Sequence, residues 1–123
     1  MRCMQWLIQA ENPETIVAAL IQHGHKTHLV SELELPQGAT AEQILSAANQ
    51  RQWDIFTTHR DLAQAPFAGQ KFTRSMVYFQ DGTSDPVAAV GRLFDRYPRP
   101  SPGRLYTITP SRVKIRQLPA HKS

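Results

Sequence analysis

The stretch M-Q-W-L-I-Q-A-E-N-P-E-T-I-V-A-A-L-I-Q-H-G-H-K-T-H-L-V, residues 4–30, decides the fold. Its opening run, Met4 to Ile8, is short enough for a strand and too dense in apolar and aromatic side chains for a strand half-exposed to water, so it predicts a buried strand. A helix follows. Asn12 can cap it, Pro13 suits its first position, Glu14 complements the positive end, and Gly24 can close it in the left-handed conformation. Ile16, Ala19, Leu20 and His23 share one face of that helix, and Lys26 to Val30 begins a second strand. Strand, helix, strand is the unit of a parallel sheet.

The same pattern repeats outward. After a loop from Ser31 to Gly38, Thr40-Ala41-Glu42-Gln43 resembles a capping box ahead of the periodic Ile44, Leu45 and Ala48, which predicts a second helix fading at Gln50 to Gln52. Trp53, Ile55, Phe56 and Thr57 form the next strand, and the polar T-H-R-D stands where that strand should end. Pro66 and Gly69 mark a loop through Lys71, Ser75 to Phe79 reads as a strand, and Asp81-Gly82 supplies turn chemistry. Pro86 opens a third helix with Val87, Val90, Leu93 and Phe94 on one stripe, and Tyr97 to Gly103 is Pro-rich and extended. Leu105 to Ile108 and Val113 to Leu118 alternate apolar with polar around Pro110-Ser111, which predicts a hairpin with one solvated face. The expected fold is α/β: a mostly parallel central sheet flanked by helices, with a C-terminal antiparallel β-hairpin at one edge. Ligands of such sheets sit beyond the carboxyl ends of the strands, which directs attention to Gln9 to Asn12 and Thr57 to Asp61.

Length and composition narrow the class. At 123 residues there is room for one core, so residues 1–118 read as one domain and 119–123 as a frayed tail. Apolar residues at 41% and charged residues at 20% suit a packed domain rather than a disordered, fibrous or membrane-embedded chain. The longest apolar stretches, such as Val17 to Ile21, are too short for a spanning helix or a secretory segment, and the expected location is cytoplasmic. The lone Cys3 can form neither an internal disulfide nor a thiolate metal site by itself. The net charge of +4 hides an asymmetry: residues 1–90 hold six basic and nine acidic side chains, residues 91–123 eight basic and one acidic. A C-terminal third with Arg92, Arg96, Arg99, Arg104, Arg112, Lys114, Arg116 and Lys122 would attract phosphate backbones, an attraction that weakens with salt.

Several chemistries lack their residues. The six glycines form neither a phosphate-binding loop nor a dinucleotide fingerprint, and there is no G-x-S-x-G elbow. His23, His25 and His28 lie close in H-G-H-K-T-H, but the first two straddle a helix-ending glycine and the third enters a strand, a poor arrangement for one tetrahedral ion. Carboxylates near strand ends remain: Glu11, Glu42 and Asp61, the type of oxygen ligand that hard divalent ions gather from different elements. Glu42 equally suits a helix start and Asp61 a turn.

The order of these pieces resembles the small bacterial PIN-like proteins described as the DUF5615 or Mut7-C-like group, relatives of the PIN-domain ribonuclease toxins. The likeness spans residues 4–118. It rests on L-I-Q-A-E-N-P for the first strand and its D-x-x-x-P start, A-L-I-Q-H-G-H for the helix ending in G-H, G-A-T-A-E-Q-I-L-S-A-A for an acidic helix start, D-I-F-T-T-H-R-D-L-A for the T-x-D-x-D-[FL] strand end, and R-S-M-V-Y-F for the next strand. The resemblance implies phosphodiester hydrolysis, with acidic residues holding Mg²⁺ or Mn²⁺. The chain departs from that pattern at two positions: Gln9 stands at the first-strand aspartate and His59 at the first aspartate of T-x-D-x-D, leaving Glu42 and Asp61 on acidic positions and Glu11 two residues from the lost one. Losing two negative charges weakens affinity for a hard cation. In a surviving catalyst the resemblance gives Asp61 and Glu42, with Glu11, the metal, His59 support of the ion or proton movement, and Gln9 orientation of a water. Arg60, Arg104, Arg112, Lys114 and Arg116 would hold substrate phosphates. The implied role is a weak or inactive ribonuclease of the toxin type, or else a non-enzymatic RNA-binding or partner-binding pseudoenzyme. Its implied partners are RNA, a small antitoxin-like protein or a second copy of the chain, and no membrane.

Overall fold

The structure, a computed structural model, describes residues 4–10, 13–33, 40–69, 72–80, 86–98, 100–109 and 112–119. Strand β1 (Gln5–Gln9) leads into helix α1 (Glu14–Gln22) and strand β2 (Lys26–Leu29), so the opening stretch is the βαβ unit its sequence predicts. Pro13 is the N-cap of α1, and Asn12 lies outside the described residues. Gly24 takes the positive φ of 83° expected of a helix-closing glycine. A 3₁₀ turn at Val30–Glu32 ends β2 one residue earlier than expected.

Helix α2 (Ala41–Arg51) starts with the capping box in place: the Gln43 N–H donates to Thr40 Oγ1 at 3.3 Å, and the Thr40 N–H donates to Gln43 Oε1 at 2.8 Å. Strand β3 (Asp54–Thr57) follows. Arg60–Gln64, to which the sequence assigns no element, forms a helix, α3, continued into the expected loop by a 3₁₀ turn at Ala65–Ala68, so four helices flank the sheet rather than three. Five residues are too few to display a 3.6-residue period, and Pro66 disguises the segment further. Strand β4 (Met76–Phe79), helix α4 (Pro86–Arg96) and strands β5 (Arg104–Ile108) and β6 (Val113–Gln117) complete the chain. The turn residues Pro36, Gly38, Lys71, Asp81-Gly82 and Pro110-Ser111 and the tail 120–123 lie outside the described residues. No helix among the described residues is long and apolar enough to cross a membrane.

The six strands form one sheet in the order β2-β1-β3-β4-β5-β6, parallel except for the β5–β6 hairpin. Alternation along each strand divides the core. Trp6, Ile8, Phe56, Val77, Tyr106 and Ile108 face α1 and α4, which contribute Ile16, Ala19, Leu20, Val90, Leu93 and Phe94. Leu7, Ile55, Met76 and Leu105 face α2 and α3, which contribute Ile44, Leu45, Ala48, Leu62 and Ala63. Helices on both faces explain why the strands read as near-continuous apolar runs. They also correct the hairpin: β5 is covered on both faces, and the solvated strand is β6 at the edge, exposed at residues 114–117.

The positions of the helices fix the crossovers. The β1–α1–β2, β2–α2–β3 and β3–α3–β4 connections share one hand, whereas β4–α4–β5 advances the same way as β3–α3–β4 but over the opposite face, beside α1. It therefore has the opposite hand to the other three, in a class of connection that is right-handed in about 98% of cases. The chain leaves both β1 and β4 toward the α1/α4 face and leaves β3 toward the α2/α3 face, so the carboxyl end of β3 lies between two divergences, the kind of place where open α/β sheets bind ligands.

Candidate functional site

At that strand tip the uncharged side chains of Gln9 and Thr57 are tied to one another. Gln9 and Thr57 are register partners on β1 and β3, and by alternation with Leu7 and Ile55 both belong to the α2/α3 face. The fully buried Thr57 donates its hydroxyl to Gln9 Oε1 at 3.3 Å and accepts the His59 N–H at 2.9 Å. The Thr58 N–H donates to the Gln9 carbonyl at 3.1 Å. His59 is half-buried and is the N-cap of α3, with no side-chain capping bond.

The carboxylates stand around this tip. α2 runs from the carboxyl end of the sheet down to the start of β3, which puts Glu42, in its first turn, at the same end and on the same face as Gln9. Asp61 lies in the first turn of α3, also at that end and on that face, and Arg60 precedes it. Glu42, Arg60 and Asp61 are all exposed. The fold thus brings Gln9, Glu42, His59 and Asp61 to one edge of one face. Glu11 lies outside the described residues. Among the described residues no group of three or more His, Cys, Asp or Glu is placed to hold a metal ion. The described donors are a poor fit to Mg²⁺: one amide oxygen already accepts a hydrogen bond, and two exposed carboxylates are fewer than the cluster of anionic oxygens a hard cation takes.

The cations divide. On β6, Arg116 stands opposite Leu105 and Lys114 opposite Thr107, so both share the α2/α3 face with the strand tip. Arg112 continues the alternation, with its N–H donating to Thr109 Oγ1 at 3.0 Å and its carbonyl accepting the Thr109 N–H at 2.8 Å. Side chains two apart on a strand are about 6.6–6.8 Å apart, so the three cations make a row down an exposed edge. The Arg116 guanidinium lies 4.0 Å from the centroid of the Phe67 ring, an aromatic partner supplied by the 3₁₀ turn at Ala65–Ala68, where the sequence predicts a loop. Arg104 does not join the row. It is the first residue of β5, alternates with Leu105, and stands across from Gln117 at the opposite end of the sheet.

Titratable groups with displaced pKa values sit at the amino end instead. Asp54, 2% exposed at the start of β3, accepts the Ser75 N–H at 3.0 Å and the Ser75 hydroxyl at 2.8 Å, with Arg74 Nε 3.5 Å away. Burial raises its pKa against the opposing pull of Ser75 and Arg74. His25 accepts the Trp6 Nε1–H at Nδ1 over 3.3 Å and stacks on Phe94 at 4.5 Å. Burial, and secondarily the nearby His23, lowers its pKa. His28 stacks on Trp53 at 3.7 Å with the planes 4° apart, and burial lowers its pKa too, Lys26 adding to the shift while Glu32 opposes it. Each of these two rings is engaged by a local aromatic neighbour.

Comparison with protein-family models, curated proteins and solved structures returned no match.

Proposed function

We propose that this is a PIN-like protein of ribonuclease-toxin type whose acidic site has degraded, weak or inactive as a nuclease, and that it acts in the cytoplasm by holding RNA. The observation that carries the reading is the row of Lys114 and Arg116 on the exposed edge strand with Arg112 immediately before it, on the same face as the neutral Gln9–Thr57 tip. Three cations repeating along a strand track a phosphate backbone, and Phe67 under Arg116 adds an aromatic surface beside it. The strand tip supports the same reading: where the resemblance places a metal-binding aspartate, Gln9 offers an amide already bonded to Thr57.

The test is binding and cleavage of labelled single-stranded RNA, in EDTA and in Mn²⁺. Binding should persist in EDTA, and neither Mn²⁺ nor Asp61→Asn should change the affinity. Rapid, multiple-turnover Mn²⁺-dependent cleavage that disappears in Asp61→Asn or Glu42→Gln, or RNA binding that appears only with Mn²⁺, would overturn the proposal and restore a working nuclease.

A further inference from the structure

The sheet ends in two edge strands, β2 and β6, and they differ in what a second copy of the chain would meet. On β6 the Leu118 N–H donates to the Gly103 carbonyl and the Arg112 carbonyl accepts from Thr109, each at 2.8 Å, so alternation turns the backbone groups of Val113, Ile115 and Gln117 outward. Any antiparallel pairing of two copies through those groups sets Lys114 and Arg116 opposite themselves or each other. Like charges directly opposite destabilise a pair, so this edge resists self-association. On β2 the Lys26 N–H donates to the Met4 carbonyl at 2.9 Å. Lys26 and His28 therefore bond toward β1, and the backbone groups of Thr27 and Leu29 point away from the sheet, where no further strand lies among the described residues.

The flank of α1 above the β2 edge is apolar. Ile16, Ala19 and Leu20 point into the core, and His23 turns toward α4, its ring 5.3 Å from Phe94. Val17 and Ile21, about 100° round the helix from Ile16 and Leu20, stand on the other flank, over β2. Val17 is half-buried and Ile21 is 58% exposed. Thr27 and Leu29 lie on the same side of the sheet, by register with Trp6 and Ile8. The Leu29 carbonyl caps the 3₁₀ turn at Val30–Glu32, which leaves the Thr27 N–H and carbonyl and the Leu29 N–H to face outward. These groups complement themselves in an antiparallel pair centred on Thr27: each Thr27 exchanges both bonds with its copy, and each Leu29 N–H reaches the His25 carbonyl of the other chain. Lys26 then meets His28, whose ring stacks on Trp53 and whose pKa burial lowers, so no like charges are opposed. A two-fold axis normal to the sheet keeps both α1 helices on one face. Seated over the gap between β1 and β2, they stand two strand spacings apart, about 10 Å, which is the distance at which helices pack.

We infer that the chain forms a two-fold dimer by antiparallel pairing of β2 with β2 of a second copy, with Val17 and Ile21 of the two α1 helices packed across the axis. The interface lies at the opposite edge of the sheet from the β6 cations, so it and the RNA-holding row fail or stand separately. The test is sedimentation velocity of the full chain over a range of concentrations. One short strand edge and one helix flank per copy make a modest interface, so the mass should rise from one chain to two with a Kd of roughly 10–100 μM. Ile21→Glu sets two carboxylates across the axis, and Thr27→Pro removes an N–H that β1 does not use; each should weaken association about tenfold or more. Ile115→Glu, at the exposed β6 edge, should leave it unchanged. Ile21 and Ile115 are both exposed, so neither variant should lower the melting temperature by more than a few degrees. A monomer at about 1 mM, a dimer that survives both Ile21→Glu and Thr27→Pro, or one lost in Ile115→Glu would overturn the inference.

Discussion

The two ends of β3 handle polarity in opposite ways. At the amino end a carboxylate, Asp54, is fully withdrawn from water and answered by Ser75 and Arg74. At the carboxyl end, where an open α/β sheet binds its ligands, the buried group is the neutral Thr57 and the nearby carboxylates are exposed. The buried carboxylate Asp54 anchors one strand start to the next, whereas at the end suited to chemistry the buried group is uncharged and the charges stay in water.

Substitutions at the two ends should separate anchoring from function. Asp54→Ala should be the most damaging, because it leaves the buried Ser75 N–H and hydroxyl without an acceptor; a loss of about 2–3 kcal/mol in denaturant unfolding is expected, with RNA affinity of the folded fraction unchanged. Thr57→Val keeps the shape and removes the hydroxyl that joins Gln9 to His59, and should cost about 1 kcal/mol in the same measurement. If Thr57→Val proved the costlier, the contrast between the two ends would be wrong.

A smaller, pH-dependent effect should come from His25. Its hydrogen bond from Trp6 requires the neutral ring, and its pKa in the folded protein lies below the ordinary 6.5. The unfolded chain therefore binds more protons than the folded one just below pH 6.5, so this contribution to stability is complete above that pH and declines on acidification through the folded pKa. His28 acts in the same direction. Asp54, with its pKa raised, acts in the opposite sense, favouring the folded state as it protonates. Unfolding free energies at pH 7.5 and 5.5 should fall with acidification, and His25→Asn, which can still accept from Trp6, should flatten the decline. An unchanged slope in His25→Asn would remove His25 from the account.

Much of this was legible in the chain itself, for identifiable reasons. The capping box at Thr40 and Gln43 and the closing Gly24 are local chemistry, and local chemistry survives folding. The five-residue α3 escaped because it is shorter than two turns. The hand of β4–α4–β5 could not be read, since the Val90, Leu93 and Phe94 stripe tells that a helix buries a face but not which side of the sheet receives it. At the site, Gln9, Glu42, His59 and Asp61 were picked out by position, and the fold places them at one end of one face. Thr57 opens the stretch to which the sequence directs attention but gains no role there, because a threonine in an apolar run reads as an ordinary β-branched strand residue. The separation of Arg104 from Arg112, Lys114 and Arg116 depends on the β5–β6 register, which composition does not carry.

The central claim is that RNA is held by the β6 cations without a metal. It is tested most directly by the salt dependence of binding to single-stranded RNA in EDTA, in the parent protein and in the combined Arg112→Gln, Lys114→Gln, Arg116→Gln variant. Each phosphate contact on a single strand contributes about 0.7 to the slope of log affinity against log salt, so the account predicts a slope shallower by about 2 in the variant. An unchanged slope, or binding that appears only when Mn²⁺ is added, would contradict it.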